Sequence, residues 1–319
     1  MRRDTSGQPA PARENAWAES DGGEPMLISD AARLLHGGGG HGGEVHVWHG
    51  LVTAPPSAED TAVLSGAERA RAARFVRPGD SARFVAAHAA QRRLLARYLG
   101  TDPAAIRFGR SACCRCGSTE HGRPSIEWPP AALEHNLSRS GQHWLLAVAA
   151  AGRVGADIEC HRSIDIGRMA DATLTAAESL YLRDQPDERR QWVFFRCWTR
   201  KEAVLKACGI GLATKLGGLE VHPEQSGPVE VHHASGSCPD TWQVRDVTQR
   251  PWPAQGSAAA QGSQQVQGIG AAQGPERIQV CGAAQVPARN EAGAAGWSGA
   301  VAQPAGQARP VRFFTFPPS

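Results

Sequence analysis

Three short segments carry side chains that could do chemistry. The first is Val154-Gly155-Ala156-Asp157-Ile158-Glu159. In an extended strand side chains alternate, so Asp157 and Glu159 share one face and Ile158 points the other way, into a core. Two carboxylates about 7 Å apart on one face repel each other. Solvent removes that cost, and so does a divalent cation. Oxygen-only ligands suit a hard ion, Mg²⁺ before Zn²⁺. A solvated strand edge would show the same residues. The second segment is Trp198-Thr199-Arg200-Lys201-Glu202-Ala203-Val204-Leu205-Lys206. On a helix Glu202 and Lys206 stand at i and i+4 and face the same way. They could form an ordinary exposed ion pair. Alternatively, Glu202 adds a third carboxylate to a metal and Lys206 holds a phosphate as a compact charge. The third is His135-Asn136-Leu137-Ser138-Arg139-Ser140-Gly141. Its hydroxyls and guanidinium could be presented to a phosphate, although many such stretches are turns.

These segments need elements to position them. Val45, Val47 and Trp48 within 44–51 read as a short strand. Ser65 with Glu68 three residues on has capping-box spacing and opens a helix. Pro78-Gly79-Asp80 reads as a break, and a second helix runs from about Ser81 to Leu99, stopped by Gly100. Residues 106–135 read as irregular. Trp144–Ala149 reads as a buried strand, turned at Gly152, with Val154–Glu159 as its partner. Residues 163–184 read as one or two short helices. Glu188–Cys208 reads as a long helix ending at Gly209 and Gly211. Leu219–His222, Pro228–His232, Trp242–Val247, Trp297–Ala302 and Val311–Phe316 are strand candidates.

The chain has 319 residues, with 34 basic against 31 acidic side chains and a net charge of +3. That balance argues against a nucleic-acid coat or a strongly membrane-attracted surface. No run of about eighteen apolar residues suggests a membrane span, and no apolar stretch follows the first arginines as in a secretory signal. The eight Cys therefore read as reduced thiols in the cytoplasm. Cys113-x-x-Cys116 with His121 resembles part of a zinc site, without a second Cys pair at ribbon-like spacing; free loop thiols are the alternative. The other cysteines read as packing residues. Only Lys201, Lys206 and Lys215 are lysines, so a Lys retained against the bias toward Arg is informative. Ala, Gly and Gln fill 28 of the 46 positions in 251–296, which marks a low-complexity insertion rather than core.

The order of the motifs carries more than any one of them. Asn136-Leu137-Ser138-x-Ser140, then Gly155-x-Asp157-x-Glu159, then Trp198-x-x-Lys201-Glu202-Ala203-x-x-Lys206-x-x-Gly209-x-Gly211 resembles the 4′-phosphopantetheinyl transferases of the surfactin-synthetase-activating (Sfp-like) type. Gly122-Arg123-Pro124 and Glu68-Arg69-x-Arg71…Arg74-Phe75…Asp80…Arg83 extend the likeness over about 44–302, the insertion excluded.

The resemblance implies an α+β fold, a pseudo-dimer of two similar α/β halves with the active site between them. The expected divisions are a disordered lead at 1–43, a first half at 44–151, a second at 152–250, the insertion at 251–296, and the second half's final strands at 297–319. It implies transfer of the 4′-phosphopantetheine arm of coenzyme A to a serine of an acyl or peptidyl carrier protein. Adenosine 3′,5′-bisphosphate would be released, and Mg²⁺ would be required. Asp157, Glu159 and Glu202 would hold the Mg²⁺. Lys206 would bind a phosphate oxygen, and Glu202 or a metal-bound water would accept the serine proton, which makes Glu202 and Lys206 the expected catalytic pair. Arg71, Arg83 and Arg123 would bind the nucleotide end of coenzyme A, with Ser138 and Arg139 at the pyrophosphate. Arg139 stands where the family usually has His. It can grip phosphate but cannot titrate near neutrality. The expected setting is a cytoplasmic monomer acting on a carrier domain of a polyketide, non-ribosomal peptide or fatty acid synthase, with no nucleic-acid or membrane partner. The alternatives are a Mg²⁺-dependent phosphodiesterase and a homologue that binds carrier protein or coenzyme A without turnover.

Overall fold

The structure, a computed structural model, describes residues 43–150, 152–210, 216–233, 238–248 and 296–316. The expected lead, the helix-like piece at 28–35 and nearly all of the insertion lie outside these residues.

The first half opens with β1 (Val45–Leu51). Three helices follow: α1 (Ala58–Ala62), α2 (Gly66–Ala72) and α3 (Pro78–Leu99). Ser57 and Asp60 close a capping box at α1, and Ser65 and Glu68 close the expected one at α2. The expected break between the two helices is present but falls at 73–77, just before Pro78. Pro78 sits in the first turn of α3, where its missing N–H costs nothing and its fixed φ suits the helix. Gly100 ends α3 at φ 62°. The span expected to be irregular contains a hairpin, β2 (Arg107–Arg110) with β3 (Pro124–Trp128). Then come β4 (Glu134–Ser140) and β5 (His143–Ala149).

The second half holds β6 (Gly155–Cys160), α4 (Ile166–Thr173), α5 (Ala176–Arg183), α6 (Asp187–Cys208), β7 (Val229–His232), β8 (Thr241–Thr248) and β9 (Trp297–Pro304). The final element is β10 (Val311–Thr315). Helix α6 begins with Asp187 and Glu188, carries Lys206 in its last turn, and stops at Gly209 with φ 73°, charges that complement its dipole.

The strands form two four-stranded sheets, ordered β10-β1-β5-β4 and β6-β9-β8-β7. Two expectations fail here. Strand β6 is not the partner of β5. It pairs with β9, Asp157 opposite Ala300, while β5 lies between β1 and β4. Strand β10 does not belong with the second half. It runs parallel to β1, Val47 opposite Phe313, and buries Phe314 in a stack 4.4 Å from Trp48.

Strand alternation sorts the side chains into layers. Val45, Val47, Leu145 and Ala147 of one sheet meet Ala156, Ile158 and Val301 of the other. The opposite face of the first sheet, with Leu146 and Val148, packs on Ala87, Leu94 and Leu95 of α3. The opposite face of the second, with Val231, Val244 and Ala302, packs on Phe194, Val204 and Leu205 of α6. The result is helix, sheet, sheet, helix. Each fully buried Phe or Leu adds about 1.5–3 kcal/mol over an exposed one.

Leu219–His222 is not a strand. Arg200 Nη1 donates to the carbonyls of Val221 (2.8 Å) and His222 (2.6 Å), and Arg196 Nη1 to that of Pro223 (2.6 Å). Both guanidiniums also grip Asp246. Carbonyls that a strand would give to a ladder are here given to side chains, and His222 adopts φ 48°.

Cys114 is bonded to Cys238, tying the loop between β2 and β3 to the second half. The expectations of a reduced Cys114 and a Cys238 that only packs are thus corrected. Cys113, Cys116, Cys160, Cys197 and Cys208 are free.

Candidate active site

The site lies where the edge of one sheet meets the edge of the other. The third motif, a possible turn in sequence, is strand β4, and its alternate residues reach across to β6. Ala156 N–H donates to Asn136 Oδ1 (3.1 Å). Ser138 Oγ donates to Asp157 Oδ1 (2.8 Å). Ser140 Oγ donates to Glu159 Oε2 (2.7 Å) and accepts from Cys160 N–H (3.0 Å). A strand period of two therefore aims Asn136, Ser138 and Ser140 at successive positions of β6, and sends Arg139 to the other side.

Asp157 and Glu159 do share a face, and that face meets α6. Gly155 makes the approach possible, because a Cβ there would sit 2.0 Å from the Ala203 carbonyl oxygen. Lys206 Nζ, from the last turn of α6, lies 2.5 Å from Asp157 Oδ1 and donates to Ser138 Oγ at 2.8 Å. The i,i+4 ion pair open in the sequence is not formed; Lys206 turns to Asp157. Asp157 is 3 % exposed. Burial pushes its carboxyl above the usual range, the Lys206 ammonium pulls it back, and the Glu159 charge pushes it up again. Glu202 is pushed up to about 7, first by burial and then by the charge on Asp157, against the pull of Lys206. Asp157 Oδ2 and Glu202 Oε1 are buried without a hydrogen-bond partner among the described residues. Such orphaned acceptors are costly unless something else meets them. Glu159, in contrast, is engaged by Ser140 and by Arg162 at 3.1 Å.

A second cluster is cationic. The Arg71 and Arg139 guanidiniums stand 5.5 and 5.1 Å from the Phe84 ring centroid. Arg139 is lowered first by burial, then by the charge of Arg71, and less by that of Arg83, with Asp80 opposing. Arg83 itself is held by Asp80 at 2.5 Å. His88, stacked on the same ring, is lowered chiefly by burial, with Arg139 and Arg71 adding to it. Like charges held together on an aromatic platform form an anion-attracting surface. Arg123 belongs elsewhere. It pairs with Glu134 at 3.3 Å and packs on Gly209, where a Cβ would come within 2.6 Å of its Cγ.

The sequence model of the 4′-phosphopantetheinyl transferase superfamily matches residues 153–260, the stretch holding Asp157, Glu159, Glu202 and Lys206. The 4′-phosphopantetheinyl transferase HetI of Nostoc sp. is 35% identical over 196 residues, covering 60% of this chain and 79% of that protein. The chain belongs to the 4′-phosphopantetheinyl transferase family. The 4′-phosphopantetheinyl transferase Sfp of Bacillus subtilis is 27% identical over 177 residues, 55% of this chain and 74% of its own length. The transferase ffp of Bacillus subtilis is 27% identical over 187 residues, 56% of this chain and 79% of its own length.

The enzyme is thus a transferase that delivers phosphopantetheine to carrier proteins. Of its expected site residues, the fold gathers Asp157, Glu202, Lys206 and Ser138 at one point, with Glu159 beside them. It gathers Arg71, Arg83 and Arg139 at another. Ser138 and Arg139, expected together at the pyrophosphate, face opposite ways. Asn136 and Ser140 stand within the sequence motif, but that they join the sheets escaped the sequence reading, and Phe84, on which the arginines rest, had no expected part in the site. The alternation Asn-x-Ser-x-Ser was the available signal for the first two. Among the described residues no helix is long and apolar enough to cross a membrane.

Proposed function

We propose that the transferase moves the 4′-phosphopantetheine arm of coenzyme A onto a carrier serine, with Mg²⁺, and releases adenosine 3′,5′-bisphosphate. In this step the serine oxygen bonds to the phosphorus bearing the pantetheine. The bond from that phosphorus to the bridging oxygen breaks, and the nucleotide leaves with that oxygen. The observation that carries the reading is the pair of orphaned oxygens, Asp157 Oδ2 on β6 and Glu202 Oε1 on α6. Buried, acidic and oxygen-only, this donor set fits a hard divalent cation. Asp157, Glu159 and Glu202 would hold it, although their oxygens are not all within 4.8 Å of one another here. Bound Mg²⁺ supplies charge neutralisation at the pyrophosphate.

The chain's own groups do the rest. Glu202, a buried carboxylate with one oxygen left open, is the group assigned to take the serine proton. Lys206 opposes the burial that raises Asp157 and places an ammonium where a phosphate oxygen can replace Ser138 as its partner. Arg71, Arg83 and Arg139 offer the 3′-phosphate a cationic surface, and Arg123 stands ready by α6 for the nucleotide end. We further read the acceptor as a carrier domain of a polyketide, non-ribosomal peptide or fatty acid synthase. The working form is a monomer, because both sheets and both long helices come from one chain.

The test is an intact mass of an apo carrier protein after incubation with enzyme, coenzyme A and Mg²⁺. The expected result is a gain of one phosphopantetheine, absent with EDTA and with Asp157→Asn. An unchanged gain in EDTA would remove the metal from the reaction. An unmodified carrier together with a hydrolysed nucleotide would identify a phosphodiesterase instead.

A further inference from the structure

We propose that Cys113, Cys116 and His121 form a second metal centre, separate from the transferase site, that binds a soft divalent cation of the Zn²⁺ type. Among the described residues theirs are the only three or more Cys, His, Asp or Glu ligand atoms that all lie within 4.8 Å of one another. Cys116 Sγ is 3.1 Å from His121 Nε2. Donors at bonding distance from a tetrahedral Zn²⁺ stand about 3.5–3.8 Å apart, so the ion fits with a small adjustment. Two sulfurs and an imidazole select Zn²⁺ over Mg²⁺ or Ca²⁺.

The backbone independently has the form of a metal-binding turn. Gly117 N–H donates to the Cys113 carbonyl (2.8 Å), and Cys113 N–H to that of Ser118 (2.8 Å). Gly117 takes φ 73°, a conformation that favours glycine and reverses the chain just after the second thiol. The amides of Arg115 and Cys116 donate to the Cys113 sulfur. This turn brings both thiols to one side and surrounds one of them with N–H groups, as a metal-bound thiolate requires. Cys114 faces away and is occupied by Cys238. Cys113 is buried while Cys116 and His121 are exposed, which leaves the fourth coordination position on the solvent side.

The site closes a loop. Ser111 N–H donates to the Arg123 carbonyl (2.9 Å), and Arg110 Nη1 to that of Gly122 (2.9 Å). A cation held within this loop would brace the strand that delivers Arg123 to the end of α6.

The experiment uses the full chain, purified under reductant without chelator, and measures bound zinc by elemental analysis. About one equivalent per chain is expected. The demetallated chain should show a thiolate-to-cobalt charge-transfer band on adding Co²⁺. Cys116→Ser and His121→Ala, both at exposed positions, should each weaken zinc at least tenfold against a competing chelator. Cys114→Ser should keep the metal, and so should Asp157→Asn, which touches only the transferase site. Absence of zinc and of the cobalt band in the reduced wild type would overturn the proposal. So would full zinc in Cys116→Ser, or its loss in Cys114→Ser, which would move the ligands to the Cys114–Cys238 pair.

Discussion

Lys201 and Lys206 lie on the same helix in opposite surroundings. Lys201 is wholly buried, 2.6 Å from Glu178 Oε2 and donating to the carbonyls of Thr173 and Leu216. Removing it strands a buried carboxylate, so Lys201→Ala should cost about 3–5 kcal/mol in urea unfolding. Lys206 is partly exposed and faces the reaction. Lys206→Ala should lower transfer by roughly 10²–10³ while most folding stability remains, read by comparing turnover with the urea midpoint. Glu202→Gln should lower transfer by about 10²–10⁴ with an unchanged melting temperature; turnover near normal would remove Glu202 as the base. A pH effect belongs to His135, buried without a partner for either ring nitrogen among the described residues. Burial lowers it from 6.5 to about 4. It is therefore neutral when folded, and its contribution is fully present above about 6.5 and is lost as pH falls toward 4. His135→Leu should reduce the loss of stability between pH 7 and 4.5. His49 and His161, lowered likewise to about 4 chiefly by burial, should keep part of it. The carboxylates and Lys206 were legible because their types and spacing are unusual. The duty of Lys201 was not, since a buried lysine with three acceptors has the same letters as an exposed one.

At the scale of elements, the decisive contact is the joint between β4 and β6. Asn136→Ala would leave the Ala156 N–H unmet, at about 1–3 kcal/mol, and should loosen Asp157 as well, raising KM and lowering kcat together. Gly155→Ala tests the other side of the site. Its methyl would push on the Ala203 carbonyl and force α6 away from β6, so stability should fall by about 1–3 kcal/mol and transfer should fall with it. An unaltered melting curve would show that α6 yields freely. Helices α2, α3 and α6 were legible through capping boxes, glycine stops and apolar stripes. Strand β4 was hidden because its outward residues are polar for a structural reason: they face another sheet edge, not water. The failed strand at 219–222 shows the converse, an apolar alternation whose carbonyls are claimed by Arg196 and Arg200 from a distant helix.

For the whole molecule, the two halves are joined by the β4–β6 hydrogen bonds, by Cys114–Cys238 and by β10. Strands β8 and β9 are paired in register up to Thr248 opposite Ser298, so residues 249–295 connect neighbouring strand ends. Replacing 251–295 with a short Gly/Ser bridge should preserve transfer and change stability by no more than roughly 2 kcal/mol. Loss of folded protein would show that those residues pack on the rest. The layer order was only partly readable, because periodicity tells which face of a strand is apolar but not which strand lies beside it. That gap concealed β10, whose Phe313 and Phe314 alternate like any strand but join a sheet begun more than 260 residues earlier. During synthesis, β1 emerges long before the strand that will flank it. Until residues 311–315 leave the ribosome, Trp48 lacks its stacking partner and β1 presents an open row of amides and carbonyls, a template for pairing with another chain. Yield in the cell should therefore depend on chaperone capacity more than the stability of the finished enzyme would suggest.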